Sequence, residues 1–326
     1  MSTKPECGIA ASCPVPVASR QCSACVYRSP LPPPEILVLM ATRNERNWLK
    51  RTCESVQKTT RWLSEIIVRD DGSDWPQEVP SGVILERNPE PIGCAASRHQ
   101  LSHNLRGKKF AFFVDPHMEF QDRQLDCMAR IAQLTGSIVY AGCNGHYACD
   151  LMREDGILRS KWRKREHVLA LHKRYQEATS FMGACYCFPT DILAQLGGWL
   201  YLPGLRGWDE EAMSILALKH GLTILADTGV QSYHEFREQP GDPKSPKCEY
   251  AVPAYDFYLN LAFAYRIVFE DALWTTMQPA LRSFGVPRKC LREAERDGKE
   301  YGERVKERCK LNDLEFLLRI VPASET

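Results

Sequence analysis

Phe112-Phe113-Val114-Asp115-Pro116-His117-Met118-Glu119 is the stretch on which the reading of this chain turns. An apolar run stops at Asp115, and His117 follows two residues later. Along an extended strand, residues i and i+2 project to the same side. A strand ending here therefore presents a carboxylate and an imidazole together. That pair of donors suits Mn²⁺ or a similar first-row ion better than Ca²⁺. Asp-Pro is also a turn former that caps a strand with no ligand at all, so the flanking sequence has to decide.

Toward the N-terminus, Ile36 to Met40 reads as a buried strand and Asn47 to Lys58 as a helix, with Trp48, Leu49, Cys53 and Val56 on a mixed apolar face. Glu65 to Val68 is a second strand, running into Asp70-Asp71-Gly72-Ser73-Asp74. Val83 to Leu85 is a third, Ala95 to Leu105 a helix, and Phe110 to Val114 a fourth strand. This β-α-β alternation with buried strands points to an α/β fold with a mostly parallel sheet. In such open sheets, ligands bind beyond the carboxyl ends of the strands. Asp70, Asp71, Asp115 and His117 all stand at such ends.

Downstream, Gln124 to Leu134 reads as a helix and Ser137 to Tyr140 as a strand. Residues 145–178 read as irregular and then helical. Phe181 to Phe188 is a strand rich in small residues, and Pro189 to Leu196 a helix leading into Gly197-Gly198. Glu210 to His220 is a helix stopped by Gly221, followed by a strand from Leu222 to Leu225. From Tyr255 onward the chain reads as largely helical and amphipathic. Three regions result: a Cys/Pro-rich segment (1–34), an α/β domain (35–238) and a helical C-terminal extension (239–326).

With 326 residues, 44% hydrophobic and 25% charged, the chain can bury a sizeable core. A net charge of +1 gives no global field toward nucleic acid or membrane, so any such attraction must be local. No apolar run reaches membrane-spanning length, and Met1 to Arg20 lacks the pattern of a signal peptide. The fourteen cysteines then read as reduced thiols or metal ligands in a cytoplasm.

Four pieces, in order, resemble one family. Ile66-Ile67-Val68-Arg69-Asp70-Asp71-Gly72-Ser73 resembles the nucleotide-binding strand end of GT-A glycosyltransferases. Phe113-Val114-Asp115-Pro116-His117 is similar to their metal motif in its Asp-x-His form. Leu196-Gly197-Gly198-Trp199, then Gly207-Trp208-Asp209-Glu210-Glu211, is similar to their acceptor-side loop and helix. Ser232-Tyr233-His234-Glu235-Phe236-Arg237 resembles the closing His-x-Phe-Arg segment of polypeptide N-acetylgalactosaminyltransferases. The resemblance implies a GT-A sheet and sugar transfer from a UDP-sugar to an acceptor hydroxyl. It implies Asp115, His117 and His234 as ligands of Mn²⁺ or another divalent ion, which neutralises the departing diphosphate. Asp70 and Asp71 fall at the uracil or ribose position, and Arg43 and Asn44 where the family contacts the nucleotide. Arg98 matches the helix arginine near the diphosphate, and Arg237 can add a charge-assisted bond to a phosphate. Met182-Gly183-Ala184 is similar to the small-residue strand under the donor sugar.

The resemblance also bears on stereochemistry. Asp-x-His and His-x-Phe-Arg are similar to retaining enzymes, in which the departing phosphate assists deprotonation of the acceptor. Trp208-Asp209-Glu210-Glu211 is also similar to the acidic motif of inverting family-2-type enzymes, in which a carboxylate takes that proton. The reading adopted is retaining, with Asp209 and Glu210 on sugar hydroxyls. The retaining family has Trp-Gly-Gly-Glu-Asn where this chain has Gly-Trp-Asp-Glu-Glu, which leaves the sugar open.

Cys22-x-x-Cys25 is half of a zinc site that Cys7 and Cys13 can complete, giving a structural Zn²⁺. The run from Arg159 to Arg165 holds Arg159, Lys161, Arg163, Lys164 and Arg165 around Trp162. It reads either as a solvated helix face or as a grip on phosphates near the acceptor. With the cysteine segment, the second reading points to a hydroxymethylated pyrimidine in phage DNA as acceptor. A protein or glycan hydroxyl is the alternative. Two rivals complete the set: a nucleotidyltransferase, against which stands the lack of a Gly-x-x-x-x-Gly-Lys loop, and a non-catalytic zinc-anchored nucleic-acid-binding protein.

Overall fold

The computed structural model describes residues 31–45, 47–182, 184–235 and 254–320. The expectations for Cys7, Cys13, Cys22, Cys25 and Arg237, and for Gly183, lie outside the described residues. The chain begins with β1 (Ile36–Thr42), α1 (Asn47–Thr59), β2 (Leu63–Asp70), β3 (Val83–Arg87), α2 (Cys94–Ser102) and β4 (Phe110–Val114). It continues with β5 (Met118–Glu119), α3 (Gln124–Thr135), β6 (Ile138–Cys143), β7 (Cys149–Glu154) and β8 (Ile157–Trp162). Then come α4 (Arg165–Ala170), β9 (Tyr175–Ala178), β10 (Cys185–Pro189), α5 (Thr190–Leu196), α6 (Asp209–Lys219) and β11 (Ile224–His234). Four helices follow: α7 (Ala254–Val268), α8 (Asp271–Ser283), α9 (Arg288–Lys306) and α10 (Asp313–Ile320).

Nine strands form one sheet in the order β3-β2-β1-β4-β10-β6-β11-β5, with β9 also on β11. Strands β3, β2, β1 and β4 are parallel. β10 enters antiparallel between β4 and β6, and β6 and β11 again run with β1. The sheet is covered on both faces, and period-2 alternation sorts its side chains between two cores. Ile36, Val38 and Met40 of β1 pack with α1 and α3, whereas Leu37 and Leu39 pack with α2, α5 and α6. The buried sides of α7, α8 and α9 and Phe316 of α10 join this second core.

The chain moves outward from β1 through β2 to β3, then returns to β4 on the other side of β1. Strand order therefore reverses between β1 and β4, and a crevice opens beyond their carboxyl ends.

Residues 145–178 depart from the irregular-then-helical expectation. They form the β7–β8 hairpin, one short helix and β9. Asp155-Gly156 makes the hairpin turn, with φ positive at both residues (52° and 81°), the conformation Asp-Gly favours between twisted strands. The basic run from Arg159 thus begins on a strand rather than a helix face. The closing segment also differs: β11 does not stop at Leu225 but runs on to His234 after a register irregularity between Asp227 and Ser232.

Candidate active site and metal centre

Three separate pieces of chain converge beyond β4. Asp115 follows the strand directly, and its amide donates to the Ala184 carbonyl beside β10 (2.9 Å). Past Pro116, β5 pairs antiparallel with the end of β11, setting His234 opposite Met118. The Glu235 amide donates to the His117 carbonyl (3.0 Å). Asn144 then clamps the end of β11, donating to the His234 carbonyl (2.6 Å) and accepting from its amide (3.0 Å). Backbone pairing, not proximity in sequence, carries His234 to the Asp-x-His pair.

One ligand atom from each of Asp115, His117 and His234 lies within 4.8 Å of the others. Asp115 Oδ2 is 3.5 Å from His234 Nε2 and 4.0 Å from His117 Nε2. Two imidazole nitrogens and a carboxylate oxygen are a donor set for a first-row divalent ion. The surroundings suit that use. His117 Nδ1 sits 3.2 Å from Glu45 Oε2, which holds the proton on Nδ1 and turns the Nε2 lone pair toward the ion site. Burial, with Arg206 adding to it, pushes His117 below its ordinary pKa and so favours the neutral, ligating form.

Asp115 is anchored from behind. Its Oδ1 accepts from Arg98 Nη2 (2.5 Å), and Arg98 Nη1 reaches Asp209 Oδ2 (2.7 Å). Trp199 Nε1 donates to that same Asp209 oxygen (3.2 Å), and its ring lies over the guanidinium at 5.0 Å. Burial alone would raise the Asp115 carboxyl, but Arg98, then His234 and His117, outweigh it and hold the carboxyl well below the usual range. The arginine expected near a diphosphate is thus committed to two carboxylates.

The other expected residues divide between the cleft and its walls. Arg43, Asp71, Arg98, Asp115, His117, Asp209, Glu210 and His234 line a cleft of about 650 Å³. Asp71 holds a wall: its carboxylate accepts from Asn88, Ile92 N and Gly93 N at 2.8–2.9 Å. Gly93 has φ 101°, and a Cβ there would meet the Gly204 carbonyl at 2.5 Å, so only glycine lets the two loops meet. Asp70 is 1% exposed, takes Ser73 N and Oγ at 2.9 and 2.5 Å, and pairs with Arg87 at 3.3 Å. It faces its own turn rather than the cleft. Asn44 bridges to Asp74 and Ser73 (each 2.9 Å), tying the end of β1 to the turn after β2.

At the start of α6, Asp209, Glu210 and Glu211 sit where the helix dipole favours acids. Tyr186 donates its hydroxyl to Glu210. Burial, then the charge of Asp209, pushes the Glu210 carboxyl up to about 8. Trp208 holds φ 64°, a strained conformation for a large side chain. Contacts with Phe257, Tyr265 and Phe284 keep it there. From α7, Asn260 donates to the carbonyls of Gly204 and Gly207 (both 3.1 Å) and accepts from Gly204 N (2.6 Å), fixing this loop.

Several residues of the site carried no role in the sequence reading. Glu45 follows Arg43-Asn44 at a strand end, and that position was its only signal. Arg206 lines the cleft from the loop before α6, between two recognised motif pieces. Trp162, singled out in the sequence as the aromatic within the basic run, lines the cleft and stacks on His146 (5.0 Å, 27°). Neither contact could be read before the hairpin was known.

Residues 37–197 match the family model described as glycosyl transferase family 2, so this stretch is a family-2-type glycosyltransferase domain, on a GT-A sheet. The match takes in Asp115 and His117 and stops short of α6 and His234. The chain is similar in fold to GalNAc-T7, solved with UDP, GalNAc and Mn²⁺ (TM-score 0.62, 16% identity over 87% of this chain). It spans 57% of the GalNAc-T7 chain. It is also similar to Staphylococcus aureus TarS 1–349 in complex with UDP-GlcNAc (TM-score 0.50, 14% identity, 84% of this chain and 90% of that one). No curated protein sequence matches the chain.

Proposed function

We propose that this family-2-type GT-A domain, completed by α6 and the end of β11, moves a sugar from a UDP-sugar to an acceptor hydroxyl with the help of a divalent cation such as Mn²⁺. The carrying observation is the convergence of Asp115, His117 and His234 at the strand-order reversal, with Glu45 behind one ligand and Arg98 behind another. The nucleotide-sugar contexts of the two structural neighbours support the choice of donor. A cation bound by the three ligands supplies positive charge to the diphosphate as it leaves. Arg43 and Arg206 line the same cleft and add charge-assisted bonds to phosphate oxygens. Arg98 keeps Asp115 ionised and fixed.

Asp209 is held by Arg98 and Trp199 and serves to position them. Burial and the charge of Asp209 push the Glu210 carboxyl up and Tyr186 donates to it, and we assign it a hydrogen bond to a sugar hydroxyl. The Asp-x-His and His-x-Phe-Arg pieces favour transfer with retention, in which the departing phosphate receives the acceptor proton. Analysis of the product anomer by NMR tests this: retention is expected, and inversion would return Glu210 to the role of base.

The acceptor enters past Trp162, His146 and Phe257, which line the cleft on the hairpin and α7 side. This aromatic wall can stack on a sugar ring or on a base, and the neutralisation of the hairpin's cations is what favours a carbohydrate or polypeptide acceptor over a DNA backbone. Arg159 and Lys161 pair with Glu154, and Arg163 with Asp150, within the hairpin itself. UDP release measured over a panel of UDP-sugars with Mn²⁺ is the decisive experiment. Release from one donor that stops with EDTA is expected. Release that survives EDTA would overturn the cation's role. Stimulation only by hydroxymethylated DNA would overturn the acceptor assignment.

A further inference from the structure

We infer that His99 and His103, on the outer side of α2, form a second cation site selective for ions that prefer imidazole nitrogen, such as Zn²⁺, Ni²⁺ or Cu²⁺. The two residues are four apart at the end of a helix and therefore stand one above the other. Their Nε2 atoms face each other 3.3 Å apart, with the rings nearly perpendicular. His99 Nδ1 lies 2.6 Å from the Trp199 carbonyl oxygen. A carbonyl only accepts, so the proton of neutral His99 is on Nδ1 and its Nε2 carries a lone pair aimed at His103. This carbonyl clamp on the far nitrogen is the arrangement that orients histidine ligands.

The 3.3 Å separation is at the long end for a hydrogen bond and also matches a shared cation. Two imidazole nitrogens at about 2.0–2.1 Å on a tetrahedral ion lie about 3.3 Å apart. Gly198 makes the approach feasible, since a Cβ there would fall 3.3 Å from His103 Cε1. Tyr201 packs edge-on against His99 and limits its rotation (5.9 Å between centroids). Neither Nε2 is a carboxylate oxygen, so Mg²⁺ and Ca²⁺ are disfavoured, and Mn²⁺ binds imidazole the most weakly of the first-row series. The Asp115 centre also offers two imidazoles and adds a carboxylate, so substitutions at His103 are what tell the two sites apart.

The test is an isothermal titration of the full chain with Ni²⁺ while Mn²⁺ is held saturating, on wild type, His103→Ala and His103→Gln. His103 is exposed, so both variants are expected to fold with unchanged Tm in the absence of Ni²⁺. The expected result in wild type is two Ni²⁺ events, one displacing Mn²⁺ at the Asp115 centre and one at His99 and His103, and only the second is weakened, at least about tenfold, in both variants. NMR gives an independent readout: Ni²⁺ should broaden the ring protons of His99 and His103 as well as those of His117 and His234. An isotherm identical in wild type and His103→Ala would overturn the proposal. So would broadening confined to His117 and His234.

Discussion

Strand β2 closes on Asp70-Asp71 and β4 on Asp115, one strand apart across β1, and the two ends use their carboxylates in different ways. At β2, the oxygens are taken by the protein's own loops: Asp70 by Ser73 and Arg87, Asp71 by Asn88 and two amides. At β4, one oxygen of Asp115 is fixed by Arg98, and the other faces two imidazoles at 3.5 and 4.0 Å. An acid whose acceptor capacity is filled by backbone shapes a loop. An acid held on one side and open toward other ligands can bind an ion. The chemistry of a strand end therefore depends on what already occupies its lone pairs.

The largest expected effect breaks the β4 end. Asp115→Ala should lower Mn²⁺-dependent UDP release by about three orders of magnitude, the scale of losing several kcal/mol of charge stabilisation. Arg98 retains Asp209 as a partner, so circular dichroism should still report a folded protein. A variant with release within tenfold of wild type would remove the distinction between the two ends. Asp70→Asn should do the reverse. It weakens a buried turn at a cost of about 1–3 kcal/mol and lowers Tm, while release per folded molecule stays near wild type. If Asp70→Asn kept its Tm and lost donor binding, the two ends would have to be assigned alike.

The parts of this contrast legible in the sequence were those carried by local pattern. The four parallel strands, α1, α3, α5 and α6 follow from apolar periodicity and glycine stops, and Asp115 and His117 follow from the abrupt end of an apolar run. The sequence could not show which acids were already committed, because the partners of Asp71 lie 17 to 22 residues away and those of Asp115 up to 119. His234 was reached only through the family resemblance, since its approach depends on β5 pairing with β11. The β7–β8 hairpin was missed although Asp155-Gly156 signals a tight turn. The flanking basic run drew attention to charge and away from the alternation of Cys149 and Leu151. His99 and His103 carry no motif in the sequence, since the contact of His99 with Trp199 crosses from one motif to another.

A smaller effect sharpens the β4 end. Glu45→Gln removes the carboxylate behind His117 and should weaken Mn²⁺ affinity about 10–100-fold with little change in maximal rate. The measurement is the Mn²⁺ concentration giving half-maximal UDP release, and an unchanged value would sink the orienting role. Glu210 sharpens it through pH. Its carboxyl stands at about 8 when folded, against an ordinary value of 4.5. Between those values the unfolded chain has released a proton that the folded chain still holds. Stability from this group is thus present below about 4.5 and is lost as pH rises toward about 8. Without added cation, the Tm of Glu210→Gln should gain on wild type between pH 5 and about 8.5, and parallel curves would contradict the assignment.

The smallest expected effects carry the comparison from acids to cations. Arg163 is filled as Asp70 is: it chelates Asp150 at 2.6 and 2.9 Å and donates to the Glu177 carbonyl at 2.6 Å. Lys164 and Arg165 stand exposed at the start of α4. Arg163→Ala should cost about 1 kcal/mol, since the pair is half-exposed, and shift Tm by a few degrees without touching catalysis. Lys164→Glu with Arg165→Glu should change transfer to an uncharged acceptor by less than about twofold, because both side chains are exposed, stand outside the cleft lining and are screened in physiological salt. The same double variant reads the acceptor class directly. If duplex DNA is bound through these two side chains, reversing them lowers the slope of log affinity against log salt by about two. A slope that falls in this way would make the open cations at the start of α4 a phosphate contact. An unchanged slope would leave the aromatic wall of Trp162 and His146 as the feature that selects the acceptor.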